Sequence, residues 1–217
     1  MGYVFKSQPP ELRKPCSMCK DPFSIYPRHS IGLAVEDGVK YPDILGCGEY
    51  PSLLIVSKNV IDDWENAGIT GYEKYEANIV EAKGKRIRDL EPPQYYHINI
   101  TGRTEYDMDA MGFKYEIQCE YCGRRKIITR NFSNTNEVPN PTIIRANSWD
   151  GSDIFAMDLT PMRPFCTEKL LYLAGRNERT NFRFVPLELT GDASFKGLDY
   201  KAIAKRMLRE KRNPFEK

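Results

Sequence analysis

Cys16-Ser17-Met18-Cys19 and Cys119-Glu120-Tyr121-Cys122 are two pairs of thiols, each pair separated by two residues. That spacing lets a single turn bring both sulfurs to one ion, and zinc favours four thiolates in a tetrahedron. Gly123 follows the second pair and permits the positive φ that tightens such a knuckle. Lys20 stands in the same place after the first pair, so the geometry of that knuckle is in question. The expectation is that Cys16, Cys19, Cys119 and Cys122 hold one structural zinc. Four thiolates leave no open position and hence no activated water. Structural zinc binding is worth about 10–16 kcal/mol in small fingers, and closing a loop of about 100 residues costs about 4–5 kcal/mol in the chain-entropy model. Binding outweighs closure, so a clamp between the N-terminal segment and the middle of the chain is thermodynamically reasonable. Two plainer readings stay open: local redox dithiols, or unligated turn cysteines. Neither pair precedes a clear helix in a thioredoxin-like setting, which argues against the first. Cys47 and Cys166 read as packing residues, and His29 and His97 as satisfied structural histidines.

Other chemistry is sparse. There is no glycine-rich phosphate loop, no nucleophile elbow and no His-Glu-x-x-His. With only two histidines, most general-base schemes would need carboxylates. Asp62-Asp63 falls on the outer face of an amphipathic helix, where a solvated pair is the plain reading. Glu105, Asp107 and Asp109 lack metal-site spacing. Asp43 and Asp153 occupy matching places and read as residues that cap or orient a turn. An enzyme is therefore not expected.

The elements that position these residues follow from periodicity. The fold class expected is α+β: two similar strand-helix-strand units joined by a zinc-ribbon-like knuckle pair, plus a C-terminal helix. In the first unit, Leu53 to Val56 is a short apolar strand and Ser57 a helix cap. Val60, Ile61, Trp64 and Ala67 then share one helical face, with Asp62, Asp63 and Glu65 opposite. Gly68 is the stop, and Tyr72 to Ala77 alternates as an exit strand. Tyr95 to Ile100, Lys114 to Cys119 and Ile127 to Arg130 are strand-like, and 131–142 is a linker. A shift of 110 residues lays the second unit on the first without a gap. Asp43-Ile44-Leu45 meets Asp153-Ile154-Phe155, Ser57 meets Thr167, Thr70 meets Thr180, and Tyr72-Glu73-Lys74 meets Phe182-Arg183-Phe184. Internal duplication is one explanation; the other is that any two strand-helix-strand units share this pattern. The division expected is 1–132 for the N-terminal unit and 133–217 for the repeat with its basic terminal helix over 199–212.

At 217 residues the chain fits one large domain or two small ones. Its net charge of +2 argues against a dedicated nucleic-acid binder. No apolar run approaches the ~20 residues that span a bilayer, and the start lacks a secretory signal pattern. The cytoplasm is the expected location, where cysteines serve as ligands or free thiols.

The sequence resembles a known family in several phrases. These are the two distant Cys-x-x-Cys motifs, Trp149-Asp150-Gly151-Ser152-Asp153-Ile154-Phe155, Cys166-Thr167-Glu168-Lys169-Leu170, and Thr180-Asn181-Phe182-Arg183-Phe184-Val185-Pro186-Leu187. Together they look like the double-CXXCG motif proteins, immunity proteins of bacterial toxin systems. The resemblance spans roughly residues 10–190 and departs at Lys20. It implies a non-catalytic cytoplasmic binder that neutralises a cognate toxin by shape and charge complementarity. The Asp62-Asp63-Glu65 face is then a candidate contact patch for a basic toxin. The alternative is a zinc-ribbon nucleic-acid-binding protein, suggested by Arg124-Arg125-Lys126 and the basic last helix.

Overall fold

The computed structural model describes residues 16–18, 20, 28–35, 40–45, 53–83, 86–107, 110, 114–121, 125–129, 143–157, 160–184, 187 and 199–216. The linker expected at 131–142 and Cys47 lie outside them. The architecture is α+β, with three helices set against two main sheets. The first sheet holds β1 (Ile31–Val35), β2 (Ile44–Leu45), β3 (Leu54–Ser57), β4 (Tyr72–Ala82) and β5 (Tyr95–Ile100), in the order β1-β4-β5-β3-β2. Only the β1–β4 pair is parallel. The second sheet holds β6 (Gly102–Thr104), β9 (Ile154–Met157) and β10 (Thr160–Cys166), in the order β10-β9-β6. Thr101 alone separates β5 from β6, so one run of chain serves both sheets. The hairpin of β7 (Lys114–Gln118) and β8 (Arg125–Thr129) flanks the second thiol pair.

Helix α1 (Lys58–Asn66) buries the face that Val60, Ile61 and Trp64 mark, whereas α2 (Glu168–Arg176) buries Leu170 and Ala174 of the face expected from the 110-residue shift and leaves its third member, Leu171, partly buried, with Leu173 buried instead. Val60, Ile61 and Trp64 of α1 meet Leu170 and Leu173 of α2 in one core. Val56, Ile98 and Ile100 of the first sheet and Ile154 and Ala156 of the second complete that core, so neither half buries its apolar face alone. Helix α3 (Tyr200–Arg209) packs on α2 through Ala204 and Met207 and carries its basic residues outward.

The 110-residue correspondence extends to backbone geometry. β2 pairs with β3 as Ile44↔Val56 and Leu45↔Ile55; β9 pairs with β10 as Ile154↔Cys166 and Phe155↔Phe165. After α1, the amides of Ala67, Gly68 and Ile69 donate to Asp63, Glu65 and Trp64. After α2, the amides of Asn177, Glu178 and Arg179 donate to Leu173, Gly175 and Ala174. Left-handed backbone recurs at Gly68 and Glu178 (φ 64° and 51°) and at Gly71 and Asn181 (φ 93° and 64°). Glycine is required at Gly71 for a second reason. A Cβ there would lie 1.9 Å from the Ile154 carbonyl oxygen, where the second unit crosses the first.

Two expectations need correction. Ser57 and Thr167 do occupy the positions that open α1 and α2, but neither hydroxyl caps its helix. Both are taken by aspartates, as described below. The exit strand does not recur either. Tyr72–Ala82 is held between β1 and β5, whereas Phe182–Phe184 has no strand beside it among the described residues. Its aromatic rings instead stack at 5.8 Å and pack against the shared core.

His97, at the centre of β5, is fully buried and stacked on Tyr75. A carbonyl can only accept, so the ring donates from Nε2 to the His29 carbonyl at 2.9 Å. Nδ1 is then a buried acceptor without a partner among the described residues. Burial holds the ring below its ordinary value of 6.5 and keeps it neutral in the fold. The unfolded chain takes up a proton as pH falls below 6.5 and the folded chain resists it. The stability that His97 supplies is therefore present above that pH and lost below it. Urea midpoints measured from pH 7.5 to 5.5 should fall, and His97→Phe should flatten that part of the slope.

Candidate metal centre and the carboxylate ties between the units

Cys16 and Cys119 lie 103 positions apart in sequence, yet their sulfurs stand 3.8 Å apart. A disulfide needs about 2.05 Å, so this is a contact between thiols. With Zn–S bonds of about 2.3 Å at tetrahedral angles, two sulfurs on one ion stand about 3.8 Å apart. Each cysteine opens a turn, over Ser17-Met18 and over Glu120-Tyr121. Lys20 adopts the left-handed backbone expected of the missing glycine, at φ 58°. Its amide donates to the Cys16 carbonyl at 2.9 Å and its ammonium to the Ser17 carbonyl at 2.8 Å. The first knuckle thus keeps a tight turn despite the lysine. Cys16 is fully buried and Cys119 half-buried, whereas Met18 and Tyr121 between the ligand positions point out to solvent. Cys19 and Cys122 lie outside the described residues, and no group of three or more His, Cys, Asp or Glu gathers for a metal among those described.

The second constellation is one that spacing did not assign to chemistry. Asp43 and Asp153 each tie the two units together, and they do so reciprocally. Asp153 Oδ1 accepts from the Thr167 hydroxyl of its own unit at 3.1 Å, and Oδ2 from the Thr70 amide and hydroxyl of the other at 3.2 and 3.3 Å. Asp43 Oδ1 accepts from the Ser57 hydroxyl of its own unit at 3.0 Å, and Oδ2 from the Thr180 amide and hydroxyl of the other at 2.8 and 3.0 Å. Each threonine hydroxyl also accepts the aspartate's own amide, at 3.2 Å for Asp153 and 3.0 Å for Asp43. Each carboxylate lies against the residue that opens a helix, where the helix dipole favours negative charge. Lys169 stands 2.9 Å from Asp153, and Arg179 stands 3.8 Å from Asp43.

The candidate partner face looks different in three dimensions. Asp62 pairs with Lys58 on the same helix at 2.6 Å, and Glu65 pairs with Lys74. Asp63 is not a solvated group: the Arg179 Nε donates to it at 2.6 Å, with both side chains largely buried. Arg179 also reaches the Asn59 carbonyl and so bolts α1 to the second unit. All three acidic groups thus sit beside a cation. Arg179, Lys169 and the two threonines are the residues that sequence reasoning left without roles. Thr70 and Thr180 are visible as a matched pair, but no local pattern reveals that each crosses to the other unit.

Between the units lies an apolar cavity of about 440 Å³. Ile44, Leu54 and Trp64 line it from the first unit, and Phe155, Phe165 and Phe182 from the second. Cys166, partly buried, faces it too, and desolvation pushes that thiol up to about 12, which favours the protonated form at neutral pH. No helix among the described residues is long and apolar enough to cross a membrane. Comparison with models of known protein families and with characterised proteins returned no match.

The ties should behave as a coupled set. Asp43→Ala or Asp153→Ala strands two hydroxyls and an amide, at a cost of about 2–4 kcal/mol each. In a double-mutant cycle, Asp43→Ala with Thr180→Val should show a coupling of about 1 kcal/mol or more, read from urea unfolding. Asp43→Ala with Thr70→Val, which touch opposite ties, should be closer to additive.

Proposed function

We propose that the chain is a zinc-stabilised immunity protein that binds and neutralises a cognate bacterial toxin without catalysis. The observation that carries the metal part is the approach of the Cys16 and Cys119 sulfurs to 3.8 Å across 103 positions. Cys19 and Cys122 complete the ligand set in this proposal, and the ion fastens the N-terminal segment to the β7–β8 hairpin. Four thiolates make it structural.

The toxin-binding part rests on the family resemblance, and the geometry adds one support to it. Two of the phrases that carry the resemblance, Trp149–Phe155 and Thr180–Leu187, supply Asp153 and Thr180, one group from each of the two reciprocal ties. A cavity lined mainly by apolar side chains suits a protein that works by presenting a surface. The matching registers, turns and ties support descent of the two units from one duplicated segment. The protein would act in the cytoplasm beside its toxin. A second reading, a nucleic-acid-binding zinc ribbon, draws on α3, whose Lys205 and Arg209 point outward while Ala204 and Met207 are buried. It predicts binding that weakens steeply with salt.

Two measurements test the proposal. Metal analysis of the purified protein should find about one zinc per chain, and Cys119→Ser or Cys122→Ser should release it and lower the thermal midpoint. A metal-free protein of full stability defeats the zinc site. The product of the neighbouring gene, co-expressed with this chain, should co-purify with it and lose its toxicity. The absence of both complex and rescue defeats the immunity assignment.

A further inference from the structure

β3 and the end of β10 are matched strands, 110 residues apart, but their surroundings differ. β3 is covered on both sides. β2 pairs with one edge, and β5 pairs antiparallel with the other as Leu54↔Ile98, Ile55↔His97, Val56↔Tyr96 and Ser57↔Tyr95. β10 pairs on one side with β9, the mate of β2. Among the described residues no strand pairs with its other side, so the place that β5 holds in the first unit has no counterpart in the second.

The cavity borders the last four residues of β10 and reaches Ile154 and Phe155 of β9 as well. Successive residues of a strand point to opposite faces. Arg163, Pro164, Phe165 and Cys166 nevertheless all line the one cavity, which fits a cavity running along the strand's edge. Hydrogen bonding agrees. The Thr167 amide donates across to Asp153 at 2.9 Å, so by alternation the Cys166 amide faces the open side. Pro164 has no amide hydrogen to offer there, as befits an edge. Phe165 is partly buried and stacks on Phe155 at 5.9 Å, leaving part of its ring to the cavity, and Arg163 is exposed.

We propose that this edge and cavity form the surface that receives the partner, through an extended segment of the partner's chain laid antiparallel on β10 as β5 is laid on β3. Such strand addition takes affinity from backbone hydrogen bonds and specificity from alternate side chains in pockets. Here Pro164 limits the backbone bonds, so the cavity supplies most of the hold. The segment that fits has apolar side chains at alternate positions, to lie against Phe165 and Phe182, and an acidic side chain within reach of Arg163. The identity of the partner as a toxin rests on the function proposed above; the strand-accepting edge does not.

The chain itself supplies the probe. A fluorescein-labelled peptide carrying residues 94–101, the sequence of β5 with one residue on either side, is titrated against the full-length protein. Anisotropy should report a dissociation constant on the order of 100 μM, and amide exchange at Cys166 should slow in the bound state. Phe165→Asp should weaken binding at least tenfold with zinc content unchanged. Arg163→Ala, at an exposed position, provides a check that does not depend on folding and should weaken a peptide carrying Asn99→Glu more than the unmodified one. No binding at millimolar peptide, or no protection of Cys166, overturns the edge. If sedimentation instead shows a concentration-dependent dimer that Phe165→Asp abolishes, the occupant is a second copy and the partner assignment falls. With the co-expressed toxin, Phe165→Asp should lose the complex. A toxin that binds the wild-type chain and Phe165→Asp equally overturns the surface but leaves the immunity assignment standing. A toxin that binds neither removes that assignment and leaves the peptide to decide the edge.

Discussion

A carboxylate taken out of water must be met by donors, and Asp153 is 4% exposed. The donors it meets come from both halves of the molecule, and the same holds for Asp43. That requirement orders everything around it. It fixes where α1 and α2 begin, because Ser57 and Thr167 must turn their hydroxyls to the aspartates. It fixes how closely the halves approach, because the threonines must reach across. Gly71 and Gly102 leave room for the Ile154 backbone at that crossing, where a side chain on either would collide. The apolar core between the helices lies beside this polar frame.

The thiol contact and the carboxylate ties act at different places on the same body. The ties join the strand-helix segments to each other. The thiols join the N-terminal segment to the β7–β8 hairpin. Neither uses the cavity between the units or the edge of β10 that no strand pairs with among the described residues. The molecule is thus braced internally by contacts that lie apart from that edge. Rigid bracing suits a binding protein, because little ordering entropy is left to oppose association.

Helices and most strands were legible in the sequence because their apolar periodicity survives into the fold: Val60, Ile61 and Trp64 mark one helix, and Leu170 and Ala174 the other, although Leu171, which the shift sets on the same face, is only partly buried. The duplication pattern was legible for the same reason. What local reading could not see was where polar side chains go. Ser57 has the position of a cap but not the function, since its hydroxyl is turned to donate to Asp43 and accepts from no helix amide. Asp63 has the position of a solvated residue, but Arg179 arrives from 116 positions away. Phe182–Phe184 has the alternation of a strand and no neighbour to make it one. Lys20 lacks the freedom of glycine and takes the left-handed turn nonetheless, with its own ammonium closing the loop on Ser17. For Ser57 and Asp63 a partner outside the helix decided the outcome; for Lys20 it was a carbonyl of its own turn.

The reach of the ties also bears on how the chain is made. Thr70 meets Asp153 across 83 positions, and Asp43 meets Thr180 across 137. Contacts of such separation form late, because the intervening chain must be closed first. During synthesis, Asp43 waits for Thr180 until most of the polypeptide has left the ribosome. A product broken off before Thr180 carries an aspartate short of its donors and an apolar helix face short of its cover. Such fragments are open to proteolysis. The reciprocal arrangement thus makes the stability of the first unit depend on the chain having been made at least as far as Thr180.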